Sequence, residues 1–274
     1  MMKKLTRKLK AEETLKIIEN GIYSCSEREI DISEKINFTL NNTKYYTSAD
    51  LEKLSNTINL ELDNNTLIEI TNEDSISCIL RLAEEGEQGI MCLNFASTKN
   101  PGGGFLKGAL AQEESLAVSS ALYGSQLKAY DFYENHRNIK SCVYSDAMIY
   151  SPKVPVFRNK NGTLLNKSFE VDFITSAAVN TGVVKRKEPN LKDDIPSLMD
   201  KRIEKLLSLC VKESQEVLIL GAWGCGVFQN DPNIIASLFY SQLNGKFKGQ
   251  FKRVVFAIYS RNEKFIEAFK TVFE

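Results

Sequence analysis

The chain has 274 residues, room for one large domain or for one domain with an appendage. Hydrophobic residues make up 43% and charged residues 26%, so an ordinary globular core can form. Lys+Arg and Asp+Glu both count 35, and a formal net charge of zero argues against a non-specific nucleic-acid binder, which carries a basic excess. It leaves room for an anionic ligand held by backbone N–H groups. No apolar run approaches the length that spans a bilayer, and no signal-type segment follows the basic start Met1 to Lys10, so a cytoplasmic protein is expected. Six cysteines at 25, 78, 92, 142, 210 and 225 are scattered without a C-x-x-C pair, which predicts reduced thiols rather than disulfides or zinc. The only histidine, His136, lies in the polar stretch YENHRN and reads as a surface residue. With one histidine, no Ser-His-Asp or Cys-His system can be assembled around another base.

In chain order, residues 5–20 have helical periodicity and end at Gly21, a plausible C-cap. From Ile22 to about Asn65 the sequence alternates only weakly, which predicts irregular structure with short strands and one helical turn near Ala49 to Asn56. TLIEI (66–70) reads as a strand, Ser75 to Glu85 as a helix capped by Asp74, and Ile90 to Phe95 as a buried strand. A helical pattern then runs from Gln112 to about Tyr130. Cys142 to Tyr150 alternates as a strand, and Asn161-Gly162 signals a hairpin turn. Val171 to Ala177 is another apolar run, and Thr181 to Pro189 reads as a basic, solvated loop. Residues 196–213 form an amphipathic helix, 217–221 a strand, 253–260 a last strand and 262–273 a last helix. Alternating strands and helices predict a three-layer α/β fold with ligands at the carboxyl edge of its sheet.

Two glycine loops stand out. The first follows the strand at 90–95: Pro101, then Gly102, Gly103 and Gly104, then seven residues to Gln112-Glu113-Glu114 at a helix start. Three glycines permit positive φ and close approach of a ligand, and a helix start supplies free N–H groups. By helical spacing Glu114 heads an apolar stripe with Val118, Ala121 and Leu122, while Glu113 shares its side with Leu116 and Ala117. A glutamate in such a stripe is either paired or protonated; two acids at a helix start also simply complement the dipole. The second loop, Gly221 to Phe228, precedes a helix begun by Asn230-Asp231-Pro232. Gly224 and Gly226 flank Cys225, so successive N–H groups can form an anion-binding nest. It lacks the Gly-Lys-Ser/Thr of a nucleotide-triphosphate loop, and Cys225 has no histidine beside it to make it a nucleophile.

The phrases NFAS…NPGGGF…GALAQEESL and GAWGCGVFQNDP resemble the two ligand loops of the bacterial-type poly(ADP-ribose) glycohydrolases. The resemblance implies a three-layer α/β/α macrodomain with a mixed central sheet, here residues 65–274, and a mainly helical N-terminal extension, residues 1–64, packed on it. It implies hydrolysis of ribose–ribose O-glycosidic bonds, with poly(ADP-ribose) or ADP-ribosylated protein as substrate and ADP-ribose as product. It implies no cofactor, no metal, no membrane and no direct DNA binding. Glu114 matches the catalytic acid and Glu113 the neighbour that fixes ribose hydroxyls. Gly102, Gly103 and Gly104 would approach the distal ribose and phosphate, Gln112 would contact the substrate, and Gly224, Cys225, Gly226, Val227 and Phe228 would hold the diphosphate and pack the ribose. Asn94 and Asn100 would position ribose or water. Ile174 to Gly182 resembles a third family segment but lacks two expected prolines near Ala177 and Val179. A non-catalytic ADP-ribose reader of the same fold would have no use for Gln112-Glu113-Glu114, whereas a hydrolase of mono-ADP-ribosylated protein would.

Overall fold

The structure, a computed structural model, describes residues 3–260 and 262–274. Helix α1 (Lys4–Asn20) ends where Gly21 turns left-handed at φ +74° and returns its N–H to Ile17. Strands β1 (Ile22–Cys25) and β2 (Arg28–Asp31) form a separate hairpin, followed by α2 (Ser33–Asn42), β3 (Lys44–Tyr46) and α3 (Ser48–Thr57). Thr47 and Asp50 make a reciprocal capping box for α3. Helix α2 replaces the irregular structure expected there. Its helical buried pair, Ile36 and Thr39, is set by tertiary contact: the Thr39 hydroxyl donates to the Pro152 and Lys153 carbonyls.

The chain continues through β4 (Leu67–Thr71), α4 (Ser75–Glu84), β5 (Ile90–Phe95) and α5 (Gln112–Ser119). The single helix expected from 112 to about 130 is two, α5 and α6 (Leu122–Lys128), and a further helix, α7 (Asp131–Asn138), follows. Ser120 breaks it by turning extended and bridging to Val156, while the Ala121 N–H donates to the Pro155 carbonyl. Next come β6 (Met148–Arg158), β7 (Leu164–Ser176), α8 (Thr181–Lys187) and α9 (Ile195–Lys212). The strand expected from Cys142 starts only at Met148, because Arg202 and Lys205 hold Asp146 in the preceding turn. The basic segment expected as a loop is α8, nucleated by the Asn180 side chain, which accepts the Val183 N–H. Strand β8 (Val217–Leu220), α10 (Pro232–Asn244), β9 (Arg253–Ala257) and α11 (Lys264–Phe273) complete the fold.

Seven strands form one mixed sheet in the order β3-β6-β7-β5-β8-β9-β4. β7, β5, β8, β9 and β4 run parallel, and β3 and β6 are antiparallel additions at one edge. The central strands are buried on both faces with period two: Met91, Leu93, Leu218 and Leu220 enter one core, Ile90, Cys92, Val217 and Ile219 the other. Three layers follow from those two cores, as expected. Among the described residues no helix is long and apolar enough to cross a membrane. Since β5 and β8 are adjacent and parallel, the loops leaving their carboxyl ends emerge side by side. They touch: a Cβ at Gly221 would lie 3.1 Å from the Phe95 ring and 2.8 Å from the Ala257 carbonyl oxygen.

Candidate active site

Glu113, not Glu114, heads the buried side of α5. Glu113, Leu116 and Ala117 are buried, whereas Glu114 and Val118 are half-exposed, because the break at Ser120 ends the stripe counted from Glu114. Glu113 is 4% exposed and accepts three hydrogen bonds. The Ser97 N–H donates to Oε2 at 2.7 Å; Asn94 Nδ2 and Gln126 Nε2 donate to Oε1 at 3.2 and 3.1 Å. Burial nonetheless pushes its carboxyl up to about 8, with repulsion from Glu114 adding to the effect. Asn94 is fully buried behind Glu113, its amide shared with the Thr175 hydroxyl at 3.1 Å.

The glycine triplet wraps the other acid. Gly104 N–H donates to Glu114 Oε1 at 2.8 Å, Gly103 N–H to the Asn100 carbonyl at 3.0 Å, and Gly102 N–H to Gln126 Oε1 at 2.8 Å. All three N–H groups therefore bond within the protein, and the loop's role is to bring backbone against the carboxylates. Glu114 Oε2 takes no hydrogen bond among the described residues. Gln112 fastens α5 to β5: Oε1 accepts the Phe95 N–H at 2.9 Å and Nε2 donates to the Leu93 carbonyl at 2.7 Å. Asn100 stands exposed at the loop tip.

The second loop is built the opposite way. Gly224 is left-handed at φ +74°, and the Asn230 amide donates to the Gly224 and Val179 carbonyls at 3.2 and 2.9 Å. Among the described residues, the N–H groups of Gly224, Gly226, Val227 and Phe228 donate to no protein acceptor. A Cβ at Gly226 would meet nothing within 4 Å. One loop thus presents acids and the next a row of open donors with bare backbone at Gly226. That pairing suits a sugar linked to a phosphate.

Known proteins give the same reading. A family model described as microbial-type PARG, catalytic domain, matches residues 11–159. The chain is 38% identical to poly(ADP-ribose) glycohydrolase from Thermomonospora curvata, with a TM-score of 0.94 over 98% of this chain and 99% of that one. This chain belongs to the microbial-type PARG family. The same Thermomonospora protein bound to the inhibitor ADP-HPD is matched at 37% identity and TM-score 0.91, over 98% and 99% of the two chains. The Deinococcus radiodurans enzyme in complex with ADP-ribose is matched at 35% and 0.84, over 89% and 99%. No curated protein matches the chain.

In this PARG, the residue whose part the sequence does not reveal is Gln126. It is fully buried and joins the two halves of the site, accepting from Gly102 and donating to Glu113. It stands thirteen residues from Glu113 and beyond a helix break, so no helical spacing pairs them. His136 is a correction: it is buried, 1% exposed, not on the surface. Its Nδ1 lies 2.7 Å from the Phe132 carbonyl, which can only accept, so Nδ1 carries the proton; Nε2 accepts from the Ser145 N–H at 3.4 Å and lies 2.9 Å from the Ser145 hydroxyl. Burial lowers its pKa. Its ring continues a row through Tyr144 to Phe228, at centroid distances of 6.2 and 6.0 Å, and so buttresses the second loop. Cys225 is buried, and burial pushes its thiol up to about 12, so it is no thiolate nucleophile at neutral pH.

The PARG fold should register the proton on Glu113. An unfolded glutamate ionises near 4.5 and the folded one near 8, so the folded state holds the extra proton between these values. This contribution is fully present below about pH 4.5 and is lost as pH rises through 8, on the order of a few kcal/mol in total. Glu113→Gln cannot titrate. Melting curves from about pH 4.5 to 8.5 should therefore show the variant gaining on the parent as pH rises, whatever constant offset the amide introduces. Parallel curves would mean that Glu113 is ionised throughout.

Proposed function

We propose that this chain hydrolyses the ribose–ribose O-glycosidic bonds of poly(ADP-ribose), releasing ADP-ribose, with Glu114 as general acid. The observation that carries the assignment of roles is the contrast between neighbouring loops: carboxylates over β5, unbonded N–H groups over β8. The diphosphate lies on Gly224, Gly226, Val227 and Phe228, and the distal ribose is thereby delivered to Glu113 and Glu114. Glu114 Oε2 gives its proton to the leaving ribose oxygen as the anomeric C–O bond breaks and the carbon gains oxocarbenium character. A water oxygen then bonds to that carbon, and the water's proton restores Glu114. One water is consumed for each bond cleaved. Glu113 is protonated near neutrality and holds the ribose hydroxyls. Asn94 and Gln126 hold Glu113 in place. The further roles we assign are a cytoplasmic location, no DNA or membrane ligand, and an extension of residues 1–64 laid on a catalytic unit of residues 65–274.

Incubation with labelled polymer should yield ADP-ribose on chromatography. ADP-ribose itself should bind and raise the melting temperature; at 100 times Kd the gain is about 2.7 kcal/mol by mass action. Its binding should weaken only modestly with salt, since backbone donors rather than lysines hold the diphosphate. No heat and no melting shift at millimolar ADP-ribose would overturn the ligand assignment.

A further inference from the structure

Helix α1 is built into the catalytic loop region. Arg7 Nε donates to the Gly108 carbonyl at 2.8 Å and the Thr14 hydroxyl to the Val118 carbonyl, at the end of α5, at 2.7 Å. The fully buried Arg158 adds Glu13 at 2.8 Å and the same Val118 carbonyl at 3.1 Å. These contacts tie α1 to the end of α5 and to β6. A groove runs from Glu114 along α5 to the β6–β7 turn and is shared by Arg7 and Lys160. Lys4 and Lys8 press on Gly108: a Cβ there would lie 3.2 and 3.1 Å from their Cγ atoms. Lys107 immediately precedes Gly108.

The start of α1 concentrates cations in a chain with no net charge. Lys3, Lys4, Arg7, Lys8 and Lys10 fall within eight residues, and no acid precedes Glu12. Among the described residues Lys3, Lys4, Lys8 and Lys107 form no ion pair. Helix stability does not explain the arrangement, because cations in a first turn oppose the helix dipole. The second loop takes the phosphates of the unit being released, so these lysines lie outside that subsite.

We propose that the start of α1, with Lys107 and Lys160, binds the diphosphate of the polymer on the leaving side of the scissile bond. The proposal rests on the glycohydrolase reading, since only a polymer substrate carries phosphates beyond that bond. It gives the N-terminal extension a part in substrate recognition: Glu114 stands between an uncharged cradle for the released unit and a cationic rim for the remainder.

The test is a triple variant, Lys4→Glu, Lys8→Glu and Lys107→Glu, with the matching glutamine variant as a milder control on folding. Three readouts are compared: kcat/KM on long poly(ADP-ribose) at about 50 and 200 mM salt, turnover of an ADP-ribose glycoside with a small uncharged aryl leaving group, and ADP-ribose affinity by calorimetry. Polymer kcat/KM should fall about tenfold or more at low salt, through KM, and its salt dependence should flatten, since each phosphate no longer neutralised lowers the slope by nearly one. The aryl substrate and ADP-ribose affinity should stay within about twofold, and the glutamine variant should fall between. Unchanged polymer kinetics would overturn the proposal. So would equal losses on all three readouts. Failure of the parent enzyme on both polymer and aryl substrate would refute the glycohydrolase reading, and is recognisable because it does not depend on the lysines.

Discussion

Glu114→Gln should bind ADP-ribose with nearly unchanged affinity and lose polymer cleavage by at least two to four orders of magnitude. The amide keeps the shape of the side chain and the oxygen that accepts the Gly104 N–H, so the loop should stay closed on it. What disappears is the carboxyl oxygen Oε2, which takes no hydrogen bond among the described residues and is the atom proposed to deliver the proton. General acid assistance of this kind is typically worth about 10²–10⁴ in rate. Affinity should persist because the open donors assigned to the diphosphate lie on the neighbouring loop. Single-turnover cleavage with labelled polymer, beside calorimetry with ADP-ribose, separates the two quantities. A variant that still cleaves near the parent rate removes Glu114 from the chemistry.

The two glutamates also show how far the sequence can be read. Their identity, the glycine loop before them and the helix they begin are all legible, because glycine runs and helix starts are local properties of the chain. Which glutamate is buried is not. Helical counting carries the stripe from Glu114 through Val118 to Ala121, but the chain leaves the helix at Ser120 to pair with Val156, a bridge made across the fold. Burial passes to Glu113 with Leu116 and Ala117. The same reason hides α2, whose Asn-rich sequence is helical because Thr39 meets the backbone of β6. His136 looks polar from its neighbours, yet Phe132 and Ser145 satisfy both ring nitrogens inside the core. The parallel strands need no such help: Ile90 to Leu93 and Val217 to Leu220 are continuous apolar runs because both their faces are covered.

The glycines of the two loops should fail in opposite ways when a side chain is added. Gly103 sits at φ +59°, and a Cβ there would lie 2.5 Å from Glu114 Oε1 and 3.0 Å from Glu113 Oε2. Gly103→Ala must therefore displace the acids it touches. A shift near 1 Å at reacting groups can cost about 10² in rate, so kcat should drop at least that far while ADP-ribose affinity changes little. Gly224 makes a poor counterpart, since its Cβ would strike the Asn230 amide and the Ala178 side chain and confound binding with folding. Gly226 is the clean one, with open space where its Cβ would go. Gly226→Val should leave the melting temperature of the free protein unchanged and exclude phosphate from the neighbouring N–H groups. Hydrogen bonds to a charged group are worth about 1.5–3 kcal/mol each, so breaking one of them should raise the ADP-ribose Kd about tenfold to a hundredfold. If Gly226→Val binds ADP-ribose as the parent does, the diphosphate lies elsewhere. If Gly103→Ala weakens binding and spares kcat, the first loop holds the ligand and the acids are not set by it.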